Sequence, residues 1–302
     1  MKISSRKLTI SSPVKLNLHL AVKDKRPDGY HSLESVFMAL DYGDTLHLEF
    51  AAKNSLVIDL EGVKFAVPME ENIIFKAVSL FRSKTGFDQG VRINLKKCVP
   101  PAGGLGGGSS NAASILLGLN VLSGAKLNHK KLLEMAVSLG SDVPFFINQI
   151  GAAWVSGRGE YVNTVKPPKC FCVLVYPGFS SDTNAAYKLL DQCREGSGGT
   201  KEAALTEKEC LKALSGKPES WPFKNDFLAV SPDSQKTVYQ NIFSKFSELG
   251  ASFSGLSGTG STCFGIFTKM PQAEKAVDAL KKNWDFVRLA LPAKKGAVIV
   301  SK

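Results

Sequence analysis

The chain begins with a segment in which apolar positions alternate with others. Between residues 14 and 22, the apolar positions are Val14, Leu16, Leu18, Leu20 and Val22, and the positions between them are Lys15, Asn17, His19 and Ala21. A period of two residues predicts a β-strand with one apolar face. Further strand-like runs follow in the same half of the chain, at residues 35–40, 45–50, 56–60 and 91–96.

Helical spacing appears between and after these runs. Residues 72–84 place apolar side chains at intervals of three and four, which predicts a helix. Two further helices are predicted at residues 112–122 and 129–139. Asn128 precedes the second of these as an N-cap, and Gly140 follows its end.

The pattern restarts beyond residue 159. The elements predicted there are strands at 170–176, 251–254 and 263–267 and helices at 183–193 and 271–282. The polar segment 194–220 is predicted to be a mobile connection with a helical patch at 207–214. We place a domain boundary near residue 160, which divides the chain into residues 1–160 and 161–302.

The composition is that of a globular protein with a positive surface. The chain has 302 residues, of which 44% are hydrophobic and 22% charged; this size favours two packed domains, and the apolar content excludes a mainly disordered chain. Lys and Arg number 38 against 27 Asp and Glu, so the net charge is +11. Such a surface attracts polyanions. Composition leaves open whether the partner is nucleic acid, anionic lipid or a small substrate with several phosphates.

Cysteine and histidine usage argues against a zinc site. The six cysteines form no C-x-x-C pair, and the four histidines do not cluster near them. No signal peptide is visible, and the longest charge-free run, Cys98–Ala125, is broken by Pro and Gly. We therefore expect no metal-ligating residues, no transmembrane helix and a cytoplasmic location with free thiols.

The least ordinary stretch is the glycine-rich run Gly103–Gly108, in which only Leu105 carries a side chain. Glycine lets the backbone take positive φ and lets N–H groups approach an anion closely. Ser109 and Ser110 follow at the start of a predicted helix, where N–H groups and the helix dipole favour phosphate. The run matches neither the Walker A motif nor G-x-G-x-x-G. It predicts a phosphate-binding loop; the alternative is a flexible turn with a serine cap.

Two other features point to phosphoryl transfer. A second glycine-rich turn, residues 255–261, offers more N–H donors, although an ordinary hairpin would look the same. Lys15 and Asn17 lie on one face of the first strand, about 7 Å apart by the rise per residue. Asp142 follows a predicted helix and could accept a proton from an attacking hydroxyl, with Lys15 keeping it ionised. The alternatives are a solvated strand face for Lys15 and a turn residue for Asp142.

Three blocks of the sequence resemble the GHMP kinase superfamily. The first combines Pro13–Leu18 with Arg26–His31, the second is Gly104–Ala113, and the third is Leu139–Pro144. The later turn Ser257–Ser261 is similar to the third superfamily motif. The resemblance extends over nearly the whole chain. Within the superfamily it is to the kinases that act on a cytidine diphosphate-linked methylerythritol in the non-mevalonate isoprenoid pathway.

The resemblance implies an α+β fold of two domains with the active site in the cleft between them. The N-terminal domain is expected to be like the second domain of ribosomal protein S5, and the C-terminal domain to be ferredoxin-like. The implied reaction transfers the γ-phosphate of ATP, with Mg²⁺, to the 2-hydroxyl of the acceptor. The implied partners are thus ATP and a small molecule, without nucleic acid or membrane, and the protein is expected to be a monomer or a homodimer.

The resemblance also implies roles for individual residues. Asp142 is implied to be the general base in contact with the acceptor, and Lys15 to be its catalytic partner. The residues implied to bind the nucleotide are Gly103, Gly104, Leu105, Gly106, Gly107, Gly108, Ser109, Ser110, Asn111, Asn72, Ile74 and Lys97. Those implied to bind the acceptor are Asn17, Tyr30, His31, Thr183, Tyr187, Gly258, Thr259 and Gly260.

Three alternative functions remain at this point. A homoserine or mevalonate kinase would use the same loops on another alcohol, although the block Asp28–His31 has no use there. A nucleotide-binding regulator without catalysis would not need both Lys15 and Asp142. A basic RNA-binding protein with the S5-like fold is the third alternative; the scattered basic residues and the lack of a reading motif disfavour it.

Overall fold

The computed structural model describes residues 7–62, 68–196 and 205–301. The strands in these ranges are β1 (Lys7–Lys25), β2 (His31–Ala51), β3 (Leu56–Gly62), β4 (Gly90–Lys97), β5 (Ala152–Gly157), β6 (Tyr161–Thr164), β7 (Phe171–Tyr176), β8 (Phe253–Leu256), β9 (Cys263–Phe267), β10 (Phe286–Ala290) and β11 (Val298–Ser301). The α-helices are α1 (Ile73–Thr85), α2 (Gly107–Ser123), α3 (His129–Leu139), α4 (Val143–Ile147), α5 (Thr183–Gly196), α6 (Glu207–Leu214), α7 (Asp226–Val230), α8 (Asp233–Glu248) and α9 (Met270–Leu280). Short 3-10 turns lie at Met69–Glu71 and Pro218–Ser220. The mixture confirms the predicted α+β class.

The first sheet is built on the long hairpin of β1 and β2. Its strand order is β11-β1-β2-β4-β3, and β5 and β6 extend it from the first half of β2. β2 is one strand of 21 residues, where the pattern predicted two runs at 35–40 and 45–50. The strand continues because Gly43 and Asp44 stay paired with Pro13 and Ser12 of β1.

A bulge in β1 overturns the prediction of a single apolar face. Asn17 pairs with Phe37, whereas His19 pairs with the neighbouring Val36, so Leu18 is an extra residue in the ladder. An extra residue changes which face the following side chains occupy. The apolar side chains up to the bulge lie in the core between the two sheets (Val14, Leu16 and Leu18). Those beyond it lie in the core under the helices of the first sheet (Leu20 and Val22).

Helix α2 is the centre of that first core. It contacts β1, β2 and the helices α1, α3 and α4. Ala112, Ile115 and Leu119 are fully buried, so this helix is apolar on most of its circumference, as expected for a helix enclosed on several sides. Its N-terminus is thereby fixed at the open side of the first sheet.

The second sheet has the order β10-β7-β9-β8 with antiparallel pairing throughout. With α8 before β8 and α9 after β9, both packed on the sheet, this order fits the expected ferredoxin-like domain. One face packs on α8 and α9 through Tyr239, Ile242 and Ala276. The other face packs on β1 and β2 through Leu174 and Phe264, so the two sheets share a buried core.

Part of the segment predicted to be a mobile connection is packed. α6 occupies the predicted helical patch and begins with a capping box formed by Thr206 and Glu209. Cys210 and Leu214 are buried in the core between the sheets, so the prediction does not hold for residues 205–220. Residues 197–204 lie outside the described part of the chain. Helix α8 is an element that the sequence analysis missed, although Tyr239, Ile242 and Phe246 have helical spacing.

The chain passes from the first sheet to the second near residue 165. β6 still belongs to the first sheet, and β11 returns to pair with β1, so two strands from residues 161–302 lie in the first sheet. The division at residue 160 stays a prediction. Across the described ranges, every helix is too short or too polar to cross a bilayer.

Candidate active site

A cavity of about 990 Å³ opens where the two sheets meet. Its walls include Lys15 of β1, Asp142 before α4, the glycine-rich run 103–108 and Thr259 of the second glycine-rich turn. Tyr187 of α5 lines the same cavity. Segments far apart in the sequence therefore meet in one cavity, which contains the candidate residues Lys15 and Asp142 together with both glycine-rich turns.

Lys15 and Asp142 form an ion pair inside this cavity. Lys15 Nζ lies 3.3 Å from Asp142 Oδ2, with the Lys15 side chain 4% exposed and that of Asp142 26% exposed. Lys15 Nζ also donates to Asn17 Oδ1 at 2.5 Å and lies 4.9 Å from the centroid of the Phe37 ring. Asp142 is the N-cap of α4, yet its side chain makes no capping hydrogen bond, so its carboxylate is directed to Lys15 instead.

Asn17 connects this pair to the second glycine-rich turn. Its Nδ2 donates to Ser35 Oγ at 3.0 Å, and its backbone N–H donates to Ser257 Oγ at 3.3 Å. Ser257 Oγ in turn donates to the carbonyl of Gly104 at 2.9 Å. A buried serine thus holds β1 and both glycine-rich turns together.

The glycine-rich run presents its amides to the cavity. Helix α2 begins at Gly107, five residues before the predicted start, because Ser110 N–H already bonds to the carbonyl of Gly106. The carbonyl of Leu105 accepts from Lys15 N–H at 2.9 Å. The N–H groups of the first helical turn have no acceptor within the helix. They form, with the helix dipole, a site suited to an anion.

Two of these glycines have no possible substitute in this geometry. Gly104 has φ +78°, and a Cβ there would lie 2.0 Å from the carbonyl oxygen of Ser257. Gly106 has φ +68°, and its Cβ would lie 3.0 Å from Lys15 Cγ and Cε. The backbone can approach β1 and the second turn only without a side chain.

Ser110 and Asn111 lie behind the run, in a buried network centred on Asp44. Asp44 Oδ1 accepts from the N–H groups of Cys98 and Val99, and Oδ2 from Lys97 Nζ at 2.6 Å and Asn111 Nδ2 at 2.9 Å. Ser12 Oγ lies 2.7 Å from Asn111 Oδ1 and 2.9 Å from Ser110 Oγ.

This network positions Lys97 beside the glycine-rich run. Burial lowers the Lys97 pKa, and the charge of Asp44 opposes that effect. Lys97 and Asn111 reach the cavity, whereas Ser110 is fully buried and does not line it. Ser109 is the serine of this helix start that lines the cavity.

One part of the cavity, the aromatic end, is lined by aromatic rings. The His31 and Tyr187 rings stack with centroids 5.1 Å apart, and His31 Nε2 lies 2.7 Å from Asp191 Oδ1. Tyr187 packs edge-on to Phe227 with centroids 4.9 Å apart. Burial, reinforced by the charge of Asp142, raises the pKa of Tyr187 to about 12, so this phenol stays neutral. Tyr30 lines the same end and is 52% exposed.

The remaining predicted residues divide between two walls. Asn72 and Ile74 line the cavity at the start of α1, where Asn72 Oδ1 accepts from Ile74 N–H at 2.9 Å. Thr183, Gly258 and Thr259 line the wall from the second domain, and the Thr183 and Thr259 hydroxyl oxygens lie 3.4 Å apart. Gly260 does not line the cavity; its N–H bonds to the carbonyl of Ser257 inside the turn.

Sequence reasoning missed several residues of the site. Asp44 lies between two predicted strand runs and no pattern marked it, and Ser257 belongs to the second glycine-rich turn but was assigned no role. Asp191 lies four residues after Tyr187 on the same helix, a spacing that could have identified it. Arg158 also lines the cavity, and its place between two glycines suggested only a turn.

Two family models match the chain. They are described as "GHMP kinases N terminal domain", over residues 72–149, and "GHMP kinases C terminal", over residues 218–285. Among curated relatives, 4-diphosphocytidyl-2-C-methyl-D-erythritol kinase of Thermodesulfovibrio yellowstonii is 36% identical over 287 residues. That alignment covers 92% of this chain and 95% of the relative.

Solved structures agree with this relationship. A crystal structure of 4-(cytidine 5'-diphospho)-2C-methyl-D-erythritol kinase superposes with a TM-score of 0.76 and 29% identity, covering 95% of this chain and all of the other. A homoserine kinase from Cytophaga hutchinsonii superposes with a TM-score of 0.68 at 18% identity, covering 99% of each chain. The latter likeness concerns the fold alone. The chain belongs to the GHMP kinase family, and within it to the 4-diphosphocytidyl-2-C-methyl-D-erythritol kinases.

Proposed function

We propose that this protein transfers the γ-phosphate of ATP to the 2-hydroxyl of 4-diphosphocytidyl-2-C-methyl-D-erythritol, giving the 2-phosphate and ADP. One observation carries the proposal: the Lys15–Asp142 pair lies in the same cavity as an amide-rich turn and an aromatic end. A reaction between a nucleoside triphosphate and an alcohol linked to a nucleoside diphosphate needs one cavity for both molecules. It also needs an acidic side chain at the point where the alcohol meets the γ-phosphate. The family membership described above supports the same reaction.

Asp142 is the proposed general base. Its carboxylate accepts the proton of the acceptor hydroxyl as the oxygen attacks the γ-phosphorus, and the bond from the γ-phosphorus to the bridging oxygen of ADP breaks. Lys15 Nζ, 3.3 Å away, pairs with this carboxylate, and its positive charge is proposed to stabilise negative charge on the phosphoryl group. Asn17 and the Phe37 ring hold that ammonium group in place.

The amides of the first turn of α2 are proposed to hold the ATP phosphates. Phosphoryl transfer depends chiefly on alignment and charge stabilisation, so a rigid set of donors is the main requirement. The hydrogen bonds of Leu105 and Gly104 to β1 and Ser257 supply that rigidity. Asn72 and Ile74 at the start of α1 are proposed to contact adenine, and Lys97 to lie beside the nucleotide.

The aromatic end is proposed to bind cytosine. Tyr30 and Tyr187 offer flat faces for stacking, and His31 is held by Asp191 so that its ring has a defined orientation. Thr183, Gly258 and Thr259 are proposed to contact the methylerythritol part. These residues line the same cavity as Asp142, which supports an acceptor bound with its hydroxyl beside that carboxylate.

The donor set fits a magnesium ion held mainly by phosphates. In the described ranges, no group of three or more His, Cys, Asp or Glu side chains could form a protein cage. Ser109 lines the cavity at the helix start and could supply one oxygen ligand, which suits Mg²⁺ because it commonly takes one or two protein ligands. A magnesium ion held there with the help of Ser109 would supply positive charge that offsets the negative charge of the phosphates.

The compartment and the oligomeric state are also proposals. All six cysteines are unpaired, which supports a reducing compartment such as the cytoplasm. For the oligomeric state we propose a monomer or a homodimer, as the resemblance implies.

The test is ADP release from ATP and Mg²⁺ with a panel of alcohols. We expect turnover with 4-diphosphocytidyl-2-C-methyl-D-erythritol and none above background with homoserine or mevalonate. Preferred turnover of either of the other alcohols would reject the acceptor. ATP binding without turnover of any alcohol would indicate a regulator.

A further inference from the structure

The turn between β5 and β6 places a guanidinium on an aromatic ring of the cavity. Arg158 Cζ lies 3.7 Å from the centroid of the Tyr30 ring, so the guanidinium covers one face of it. Arg158 Nε is buried and makes no hydrogen bond to any described residue. Both side chains line the cavity. Tyr30 is 52% exposed and is not among the core residues, so the Arg158 guanidinium provides a contact on one face of a ring that the core leaves largely open.

Charged side chains connect the turn that carries Tyr30 to the turn that carries Arg158. Arg158 Nη1 lies 3.9 Å from Asp28 Oδ2. Arg26 Nε lies 3.2 Å from the same oxygen, and Arg26 Nη1 lies 3.7 Å from Glu160 Oε1. Arg158 N–H donates to Glu160 Oε2. Two cations and two anions therefore join the two turns, and their charges balance. The contacts of Arg158 are made by Nη1 and by its backbone N–H, and the guanidinium plane stacks on the Tyr30 ring at the same time.

The β5–β6 turn also packs closely against the segment that carries the proposed base. Gly159 has φ +115°, and a Cβ there would lie 2.0 Å from the carbonyl oxygen of Ser141. Ser141 directly precedes Asp142. This tight turn thus contacts Ser141, the neighbour of the proposed base, through Gly159, and the Tyr30 ring through Arg158.

We propose that Arg158 is a positioning residue for the acceptor: it holds the Tyr30 ring so that the ring can stack on a flat base. The inference rests on the proposed function, because it assumes that the acceptor carries a pyrimidine nucleotide. Arg158 acts through Tyr30 and therefore sets affinity for the acceptor. ATP binding and the chemical step are independent of it.

The first test is steady-state kinetics of Arg158→Met, which keeps an unbranched apolar stem and removes the guanidinium with its charge and its plane. We expect KM for the acceptor to rise about two- to fivefold, the scale of a partly exposed cation–π contact. KM for ATP and kcat should stay within experimental error. Arg158→Lys should recover part of the loss. An unchanged acceptor KM, or an equal rise in KM for ATP, would overturn the proposal.

A double-substitution cycle separates positioning from direct contact. In a Tyr30→Ala background, Arg158→Met should cause no further rise in acceptor KM. An undiminished effect in that background would mean that Arg158 contacts the acceptor or shapes the turn in general. The matched control is Arg288→Met, because the Arg288 guanidinium lies 4.8 Å from the Phe286 ring and neither residue lines the cavity. Its acceptor KM should equal that of the wild type.

Calorimetric titration with cytidine diphosphate distinguishes failure of this inference from failure of the proposed function. Arg158→Met should weaken this binding by the same two- to fivefold, whether or not the protein turns over an alcohol. Absence of ADP release with intact, Arg158-dependent binding would reject the kinase function alone. Failure of the wild type to bind cytidine diphosphate, or equal binding by both proteins, would reject the role of Arg158.

Discussion

Lys15 illustrates how much of this site depends on single residues. Its side chain is buried, yet it contacts a carboxylate, an amide oxygen and an aromatic face. A buried ammonium group needs such partners because desolvation alone would be costly. The pair with Asp142 is therefore a structural as well as a chemical feature.

Replacement of Asp142 by Asn tests the proposed base. The amide keeps the size of the side chain but cannot accept the proton, so kcat should fall about 100- to 10,000-fold. ADP release under saturating substrates measures this. Asp233→Asn is the control, because the Asp233 side chain is fully exposed on α8 and its loss should leave kcat unchanged. Turnover of Asp142→Asn at the wild-type rate would contradict the assignment.

His19 predicts a pH dependence of stability. Burial lowers its pKa from the ordinary value of 6.5 to about 4. Its Nδ1 accepts from Lys224 N–H at 3.3 Å, and its Nε2 has no hydrogen-bond partner in the described ranges. Because the unfolded chain takes up the proton first, the stabilisation is complete above pH 6.5 and is lost as the pH falls toward 4.

The expected size is a loss of about 2 kcal/mol in unfolding free energy between pH 7 and pH 4.5. Urea unfolding of the wild type and of His19→Asn over this range measures it. The Asn variant retains an acceptor for Lys224 N–H and should lack this part of the slope. His129→Asn, at an exposed position, should keep the full slope. Parallel pH profiles for His19→Asn and the wild type would disprove the prediction.

At the scale of elements, the glycine-rich run is held in shape by the elements around it. Its carbonyls bond to β1 and to the second turn, and its amides begin α2. The run is thus a rigid connection between three elements, although its composition alone suggests flexibility. Its function depends on that rigidity.

Replacement of Gly104 by Ala tests this rigidity. The left-handed backbone costs about 1–2 kcal/mol for a residue with a side chain, and the collision with the Ser257 carbonyl adds about 1–3 kcal/mol. A displacement of the turn by about 1 Å should also lower kcat roughly 100-fold. Urea unfolding and ADP release measure the two effects.

The control for this substitution is Gly86→Ala. Gly86 also has positive φ, +70°, but a Cβ there would meet nothing within 4 Å. It should lose only the backbone contribution of about 1–2 kcal/mol and keep full turnover. Equal losses in both variants would show that the approach of Ser257 does not constrain the turn.

At the scale of the whole molecule, the cavity depends on both sheets. Lys15 comes from the first sheet, and Thr259 from the turn between two strands of the second. The shared core of the two sheets keeps these walls together. A ligand that contacts both walls can bind only the folded molecule.

Ligand binding should therefore stabilise the protein against unfolding. ATP at about 100 times its dissociation constant should raise the free energy of unfolding by about 2.7 kcal/mol, and cytidine diphosphate should add to this effect. Thermal unfolding with each ligand alone and with both measures the shifts. A short RNA at equal phosphate concentration is the control for the net charge of +11. Stabilisation by RNA as large as that by ATP would favour the nucleic-acid alternative.

Local pattern was enough to predict several elements. The helix His129–Leu139, with its Asn128 cap, has the predicted bounds, because spacing and capping are properties of neighbouring residues. Residues 194–220 were less predictable, since Cys210 and Leu214 are ordered by a core that forms from distant strands. Helix α8 also has a local helical pattern, because its buried residues Tyr239, Ile242 and Phe246 recur at intervals of three and four. The sequence was therefore sufficient to predict this helix as well.

The linear pattern of residues was sufficient for the amide-rich turn, because its residues are neighbours in the chain. Lys15 and Asp142 were candidates by residue type and position, but the 3.3 Å contact between them joins β1 to the start of α4 and is a product of the fold. The linear pattern was not sufficient for the bulge at Leu18, which decides the core that each half of β1 enters. Nor was it sufficient for Asp44, Ser257 or Arg158, whose partners lie far along the chain. The Asp44 and Arg158 contacts form when the strands, turns and helices of the first sheet pack together, and the Ser257 contact forms where the two sheets meet. In each case packing brings together groups that the sequence keeps apart.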